Sequence, residues 1–175
     1  AILHQLGWKL PIAVNVSARQ LDTGDLVERI STLVARHGIT AKDLEIELTE
    51  STVMANPASA VILLTRLRDL GVTVAVDDFG TGYSSLAYLR RLPIDVLKID
   101  RSFVMDADRD DEDAQIVRTI VALGQALHLT LVAEGIENEQ QAELLRGLGC
   151  DIAQGYFYSR PLTETDLVSW LGQVV

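Results

Sequence analysis

Thiol and imidazole groups are scarce in this chain. The single cysteine, Cys150, excludes a disulfide framework and a cysteine-based zinc site, and is read as a buried, inert thiol in a reducing compartment. Three histidines, His4, His37 and His128, lie away from the strand ends identified below and are read as surface or core residues. Basic side chains are also in the minority: 15 Lys and Arg face 25 Asp and Glu, for a formal charge of -10 and an isoelectric point near 4.6. That balance excludes wrapping of a nucleic-acid polymer, whose phosphates are met by clustered Lys and Arg. It leaves room for a small anionic ligand if metal ions carry the positive charge. The apolar runs are only a few residues long, against the roughly 20 that a membrane-spanning helix needs, and no basic-then-apolar leader is seen. No membrane contact is expected of this segment itself, and a cytoplasmic location is expected whether or not a parent protein is membrane-anchored.

What is present is enough for a sizeable core. With 175 residues, 48% hydrophobic and a mean hydropathy of +0.20, the chain reads as one domain, residues 1–175, with no linker or composition shift marking an internal boundary. Short β-rich segments recur: "IAVNVS" from Ile12, "LEIELTE" from Leu44, "VTVAVDD" from Val72, "DVLKIDRS" from Asp95, "TLVAEGIE" from Thr130 and "DIAQGYFYS" from Asp151. Helix-period stretches separate them. Asn56-Pro57 predicts a capped helix start, followed by a stripe of Leu63, Leu64, Leu67 and Leu70 that Gly71 closes. Ile116, Val117, Ile120, Leu123 and Leu127 form a second stripe, and Leu144, Leu145 and Leu148 before Gly149 a third. A final helix begins near Thr163 and carries Leu167 and Leu171. Strand and helix in alternation predict a parallel sheet.

Alternation within the strands separates the possible sheets. Ile12, Val14 and Val16 oppose Ala13, Asn15 and Ser17; Leu44, Ile46 and Leu48 oppose Glu45, Glu47 and Thr49; Val72, Val74 and Val76 oppose Thr73, Ala75 and Asp77. A doubly wound sheet is usually apolar on both faces. One apolar face toward helices and one small or polar face suits a barrel whose strand C-termini build the active site. The polar groups at those ends are Asn15, Glu47 with Glu50, Asp77 with Asp78, Lys98 with Asp100, Glu134 with Glu137, and Gln154.

Adjacent like charges such as Asp77-Asp78 persist where a cation or a shared proton offsets their repulsion. Carboxylates and amides, with no histidine or cysteine among them, select hard divalent cations, Mg²⁺ or Mn²⁺ with Ca²⁺ as an inhibitory occupant. Asp77 can bridge two such ions while Asp78 serves one, if the turn through Phe79, Gly80, Thr81 and Gly82 lets both point inward. Paired ions of this kind support in-line hydrolysis of a phosphodiester, with Lys98 orienting the water or steadying developing charge. The "FGTG" stretch has no third glycine and "DFG" has no accompanying H-R-D loop, so neither a dinucleotide fold nor a kinase is supported. The acidic run from Asp106 to Gln115 lacks EF-hand spacing and reads as a solvated helix cap.

The segments "VNVSARQL", "ELTES", "DDFGTGYSSL", "LKIDRSFV", "AEGIE" and "CDIAQGYFYSRP", in this order across nearly the whole chain, resemble the EAL domain family. These are bacterial phosphodiesterases that linearise cyclic di-GMP to 5′-pGpG. The resemblance implies an α/β fold, a modified TIM (β/α)8 barrel of which this chain supplies about six βα units, with two Mg²⁺ or Mn²⁺ ions. Carried over by motif, Asn15, Glu47, Asp77 and Asp78 correspond to metal ligands with Glu134 in the same cluster. Lys98 corresponds to the group that positions the attacking water, beside Asp100 and Gln154. Glu137 supports, and Tyr156 joins Gln154 in substrate binding. Glu50 corresponds to the anchor of the Asp78–Leu86 loop, which in the family reports on dimerisation, so a homodimer is expected, as are sensory or GGDEF modules in the parent protein. The Glu-Ala-Leu tripeptide is absent, and with it a metal ligand and the arginine that follows. The domain is therefore read as N-terminally incomplete. A catalytically inactive cyclic di-GMP receptor is the alternative, and a barrel mouth that merely solvates its polar ends is a third reading.

Overall fold

A computed structural model describes residue 3 and residues 6–82 and 86–174. Six strands form one sheet in the order β1 (Ile12–Asn15), β2 (Leu44–Thr49), β3 (Thr73–Phe79), β4 (Val96–Ile99), β5 (Thr130–Ala133) and β6 (Ile152–Ala153). Every neighbouring pair is parallel. Parallel neighbours need crossovers, and helices supply them: α1 (Ala18–Asp22) and α2 (Leu26–His37) follow β1, while α3 (Glu50–Ala55) and α4 (Pro57–Asp69) follow β2. Beyond β3 come α5 (Leu86–Leu89), then α6 (Arg101–Val104) and α7 (Asp111–Ala126) after β4, α8 (Glu139–Leu148) after β5 and α9 (Glu164–Val174) after β6. The sheet is a curled half-barrel with helices outside.

The two faces of the sheet differ as the alternation requires. Ile46, Leu48, Val74, Val76, Leu97, Ile99 and Leu131 point outward into the main core against the helices. The inner face carries a small apolar floor of Ala75, Val96 and Val132, separate from that core, with the polar residues above it. Two aspartates just ahead of their strands hold the register at the opposite end. Asp95 Oδ2 accepts from the Val74 amide at 3.0 Å, and Asp151 Oδ2 accepts from the Leu131 amide at 2.8 Å. The same contact is thus used at β3–β4 and at β5–β6.

Helix starts follow their capping residues. Asn56 accepts from the Ser59 amide with Pro57 in the first turn of α4, and Asp110 accepts from the Glu112 amide at 2.7 Å to begin α7. The acidic run therefore does serve as a cap, its charges facing the N-terminal partial charge of the helix. Two stripes are rotated from their expected positions. Leu70 is 37% exposed and Ile116 39% exposed, and α4 buries Ala60, Leu64 and Leu67 while α7 buries Ala114, Val117, Ile120, Val121 and Gly124. Gly124 enters that face because a Cβ there would lie 2.4 Å from Leu131, so its absence lets α7 approach β5. Cys150 is half-buried, with its thiol directed at the Leu131 and Ile152 carbonyls. His37 and His128 are exposed, and His4 lies outside the described residues.

Candidate active site

At the C-terminal end of β3 the ladder with β4 shifts: Val76 pairs with Leu97, but Phe79 pairs with Ile99. Three residues on β3 therefore span two on β4, and the extra one forms a bulge. Asp78 takes it up at φ 53°, a left-handed conformation that aspartate tolerates better than most side chains. Its amide donates to its neighbour, Asp77 Oδ1, at 3.0 Å. The expectation that the turn through Phe79–Gly82 lets both aspartates face inward is corrected here, because the bulge inside the strand does so and β3 runs on to Phe79.

Carboxylate oxygens of Asp77, Asp78 and Glu134 all lie within 4.8 Å of one another. Lys98, 3% exposed on β4, reaches into the same place. Its Nζ lies 2.6 Å from Glu47 Oε1, 2.6 Å from Glu134 Oε1 and 3.2 Å from Asp77 Oδ1. β2, β3 and β4, and the residue immediately after β5, thus each place a charged side chain at one end of the inner face. Burial pushes the Glu134 carboxyl above the usual range, opposed by its hydrogen bond to Lys98. Asp78 is also held high, by burial first and then by the nearby carboxyls of Asp77 and Asp100. For Lys98 burial works downward, but its bonds to Glu134 and Glu47 prevail and raise it. Acids whose ionisation is disfavoured by one another gain most from added positive charge.

The remaining residues divide by location. Asn15 ends β1 in register with Glu47 on β2, at the edge of the group. Asp100 lies beside Asp78 but also caps α6, its Oδ1 accepting from the Ser102 amide at 2.9 Å and from the Ser102 hydroxyl. Glu50 is buried, and its Oε2 accepts from the Gly80 amide at 2.8 Å. Tyr83, Ser84 and Ser85, in the loop it was expected to anchor, lie outside the described residues. Glu137 does not join the charged group; it is exposed and paired with Arg101 at 2.6 Å. Gln154 and Tyr156 line a separate hollow of about 470 Å³ at the end of β6, where the Arg160 guanidinium stands 4.8 Å from the Tyr156 ring centre.

Arg101 and Arg160 were missed in the sequence. Each immediately follows or lies close to a residue singled out there, and a cation beside an acid or an aromatic ring was the available signal. Gly135 and Gly155 were missed too. A Cβ on Gly155 would lie 2.1 Å from the Ile136 carbonyl oxygen, so only glycine lets the β6 loop pass the β5 loop.

Residues 1–161 match the family profile described as the EAL domain. The chain belongs to the EAL domain family. Its sequence is 48% identical over 170 residues to "Cyclic di-GMP phosphodiesterase NbdA" of Pseudomonas aeruginosa, covering 97% of this chain and 22% of that protein. The solved structure "PaMucR Phosphodiesterase, c-di-GMP complex" superposes with a TM-score of 0.87 at 46% identity, covering 90% of this chain and 64% of that one. Klebsiella pneumoniae BlrP1 superposes with a TM-score of 0.83 at 31% identity in a manganese/cy-diGMP complex, covering 91% of this chain and 41% of that one, and a calcium/cy-diGMP complex of BlrP1 is similar. This EAL chain spans about a fifth of the length of the curated relatives it matches and has the TIM-barrel-like fold of the solved EAL structures it superposes on. Among the described residues no helix is long and apolar enough to cross a membrane.

Proposed function

We propose that this EAL chain is the larger part of a metal-dependent phosphodiesterase domain that hydrolyses cyclic di-GMP to linear 5′-pGpG. The observation that carries it is the convergence of Asp77, Asp78 and Glu134 oxygens within 4.8 Å of one another, two of these carboxylates being paired with the buried Lys98. The donor set fits hard divalent ions: Asp77, Asp78 and Glu134, with Glu47 and Asn15 adjoining, offer oxygen alone. Two Mg²⁺ or Mn²⁺ are the proposed occupants, with Ca²⁺ inhibitory. When bound, such ions supply Lewis-acid polarisation of a phosphoryl oxygen and a more acidic water.

The chain's own residues orient the reaction. Water adds to phosphorus, the bond to the bridging 3′ oxygen breaks, and that oxygen leaves with a proton, so one water is consumed per linear product. Lys98, paired with Glu47, Asp77 and Glu134, faces the charge that develops on phosphorus. Asp100, beside Asp78, adds to the negative charge that a cation would offset, and Gln154 and Tyr156 offer an amide and a ring face to a guanine at the mouth of the β6 hollow. Glu50 fastens the loop after β3, and Glu137 with Arg101 fastens the loop after β5.

β1 and β6 are the edges of the sheet, and Ile12, Val14 and Ile152 are 46%, 42% and 50% exposed on them. We propose that further strands of the parent protein cover these edges, since an exposed strand edge invites pairing. The 175 residues alone are then expected to turn over substrate negligibly, and the complete barrel to restore turnover. A homodimer, and sensory or GGDEF modules elsewhere in a cytoplasmic or membrane-anchored parent, complete the reading.

The test is cyclic di-GMP hydrolysis by the full-length protein with Mn²⁺, wild type beside Asp77→Asn. Release of pGpG that falls at least about 100-fold in the variant supports the enzyme. Binding of cyclic di-GMP with no turnover by either form supports the receptor alternative.

A further inference from the structure

The Lys98 ammonium has three N–H donors, and three carboxylates stand around it. Glu47 Oε1 and Glu134 Oε1 are each 2.6 Å from Nζ and Asp77 Oδ1 is 3.2 Å away. The lysine side chain is 4% exposed, so water does not replace any of these partners cheaply. The carboxylates come from β2, β3 and the residue just after β5, while the lysine comes from β4 between them. Asp77 and Glu134 are also two of the three groups whose oxygens converge within 4.8 Å. An ammonium and a divalent cation therefore draw on the same two carboxylates, Asp77 and Glu134.

We propose that Lys98 is a resident counter-ion of the ligand set, which a divalent ion must partly displace, and that Lys98 thereby sets the metal affinity of the centre. The inference rests on the metal-centre reading above and adds a role distinct from any action on water. Two effects of the ammonium oppose one another. It gathers the carboxylates, which would favour an ion, and it occupies their oxygens, which would disfavour one. Gathering is the smaller effect here, because the backbone already positions these groups: Glu47 pairs with Ala75 and Thr49 with Asp77 across β2 and β3, and the Glu134 amide donates to the Ile99 carbonyl just beyond β5. Occupation is the larger, because short charge-assisted hydrogen bonds must be exchanged on entry.

The experiment titrates the full-length protein with Mn²⁺ alone and follows the free ion by electron paramagnetic resonance, for wild type, Lys98→Met, Lys98→Gln and Lys98→Arg. Removal of the charge is expected to tighten Mn²⁺ binding by about tenfold or more, since one hydrogen bond to a charged group is no longer lost. Lys98→Arg is expected to remain near wild type. Lys98→Gln keeps two donors and carries the test if Lys98→Met does not fold. Equal or weaker binding by the uncharged variants, with wild type binding Mn²⁺, overturns the inference and leaves the metal centre standing. No Mn²⁺ binding by wild type or any variant overturns both. Binding by an uncharged variant alone supports the inference in its strongest form.

Discussion

Glu50 Oε2 and the Gly80 amide are joined by a 2.8 Å hydrogen bond that ties the first turn of α3 to the loop after β3, across 30 residues of chain. The other oxygen of Glu50 is buried without a partner among the described residues, and a Cβ on Gly82 would lie 2.8 Å from it. The carboxylate thus holds one loop glycine and fills the space a side chain on another would need. Glu50→Ala is expected to speed hydrogen exchange at the Gly80 amide, with global stability changing by only about 1–2 kcal/mol because a buried, half-satisfied carboxylate is removed with the bond. Exchange at Gly80 that is unchanged in the variant would remove the anchor role.

The bulge separates backbone from ligand at Asp78. Its φ of 53° suits glycine, so Asp78→Gly is expected to leave stability within about 1 kcal/mol of wild type while Mn²⁺ binding falls. Asp78→Val, β-branched at the same angle, is expected to cost about 1–2 kcal/mol more. Chemical denaturation of both variants checks this, and equal stabilities would contradict the strained geometry.

Loop packing at the ends of β5 and β6 outranks the ion pair above it. Gly155→Ala places a Cβ against the Ile136 backbone at 2.1 Å, which cannot rotate away, and is expected to cost about 2–3 kcal/mol. Arg101→Ala removes an ion pair whose side chains are 50% and 44% exposed, and is expected to cost about 0.2–1 kcal/mol. Urea unfolding that reverses this order would contradict the account of the two loops.

Cys150 provides a pH test away from the charged group. Burial pushes its thiol up, with Asp151 adding to the effect against backbone hydrogen bonds that lower it. The folded state therefore holds the thiol proton more tightly than the unfolded chain does. Its contribution to stability is present below the ordinary thiol range and is lost as pH rises through that range toward the raised value. Iodoacetamide labelling at pH 8 is expected to be slow in the folded protein and fast in urea. Equal rates in the two states would show an exposed, ordinary thiol.

The strands and the charged ends were legible in the sequence because period-2 alternation is local. Leu44 to Thr49 shows which side chains share a face without any knowledge of neighbours. The bulge at Asp78 was not legible, since it is a mismatch between β3 and β4 and neither strand records it alone. The rotation of α7 was missed for a similar reason: Gly124 offers no apolar side chain to a stripe, yet close approach to Leu131 makes it part of the buried face. Short helices such as Leu86–Leu89 and Arg101–Val104 complete about one turn, too little for a 3.6-residue period to register. The acids at the strand ends pointed to a cation, but Lys98 as the meeting point of Glu47, Asp77 and Glu134 depends on strand order and depth in the barrel.

The most direct test of the central reading is the number of Mn²⁺ ions bound, measured by calorimetry on the full-length protein for wild type, Asp77→Asn and Asp78→Asn. Wild type is expected to bind two, Asp77→Asn to weaken both because that carboxylate is proposed to bridge them, and Asp78→Asn to weaken mainly one. Losses of about 10 to 100-fold are expected at least, the range typical even of groups that only support a metal ligand. Unchanged stoichiometry and affinity in both variants would contradict the assignment of these aspartates to a metal centre.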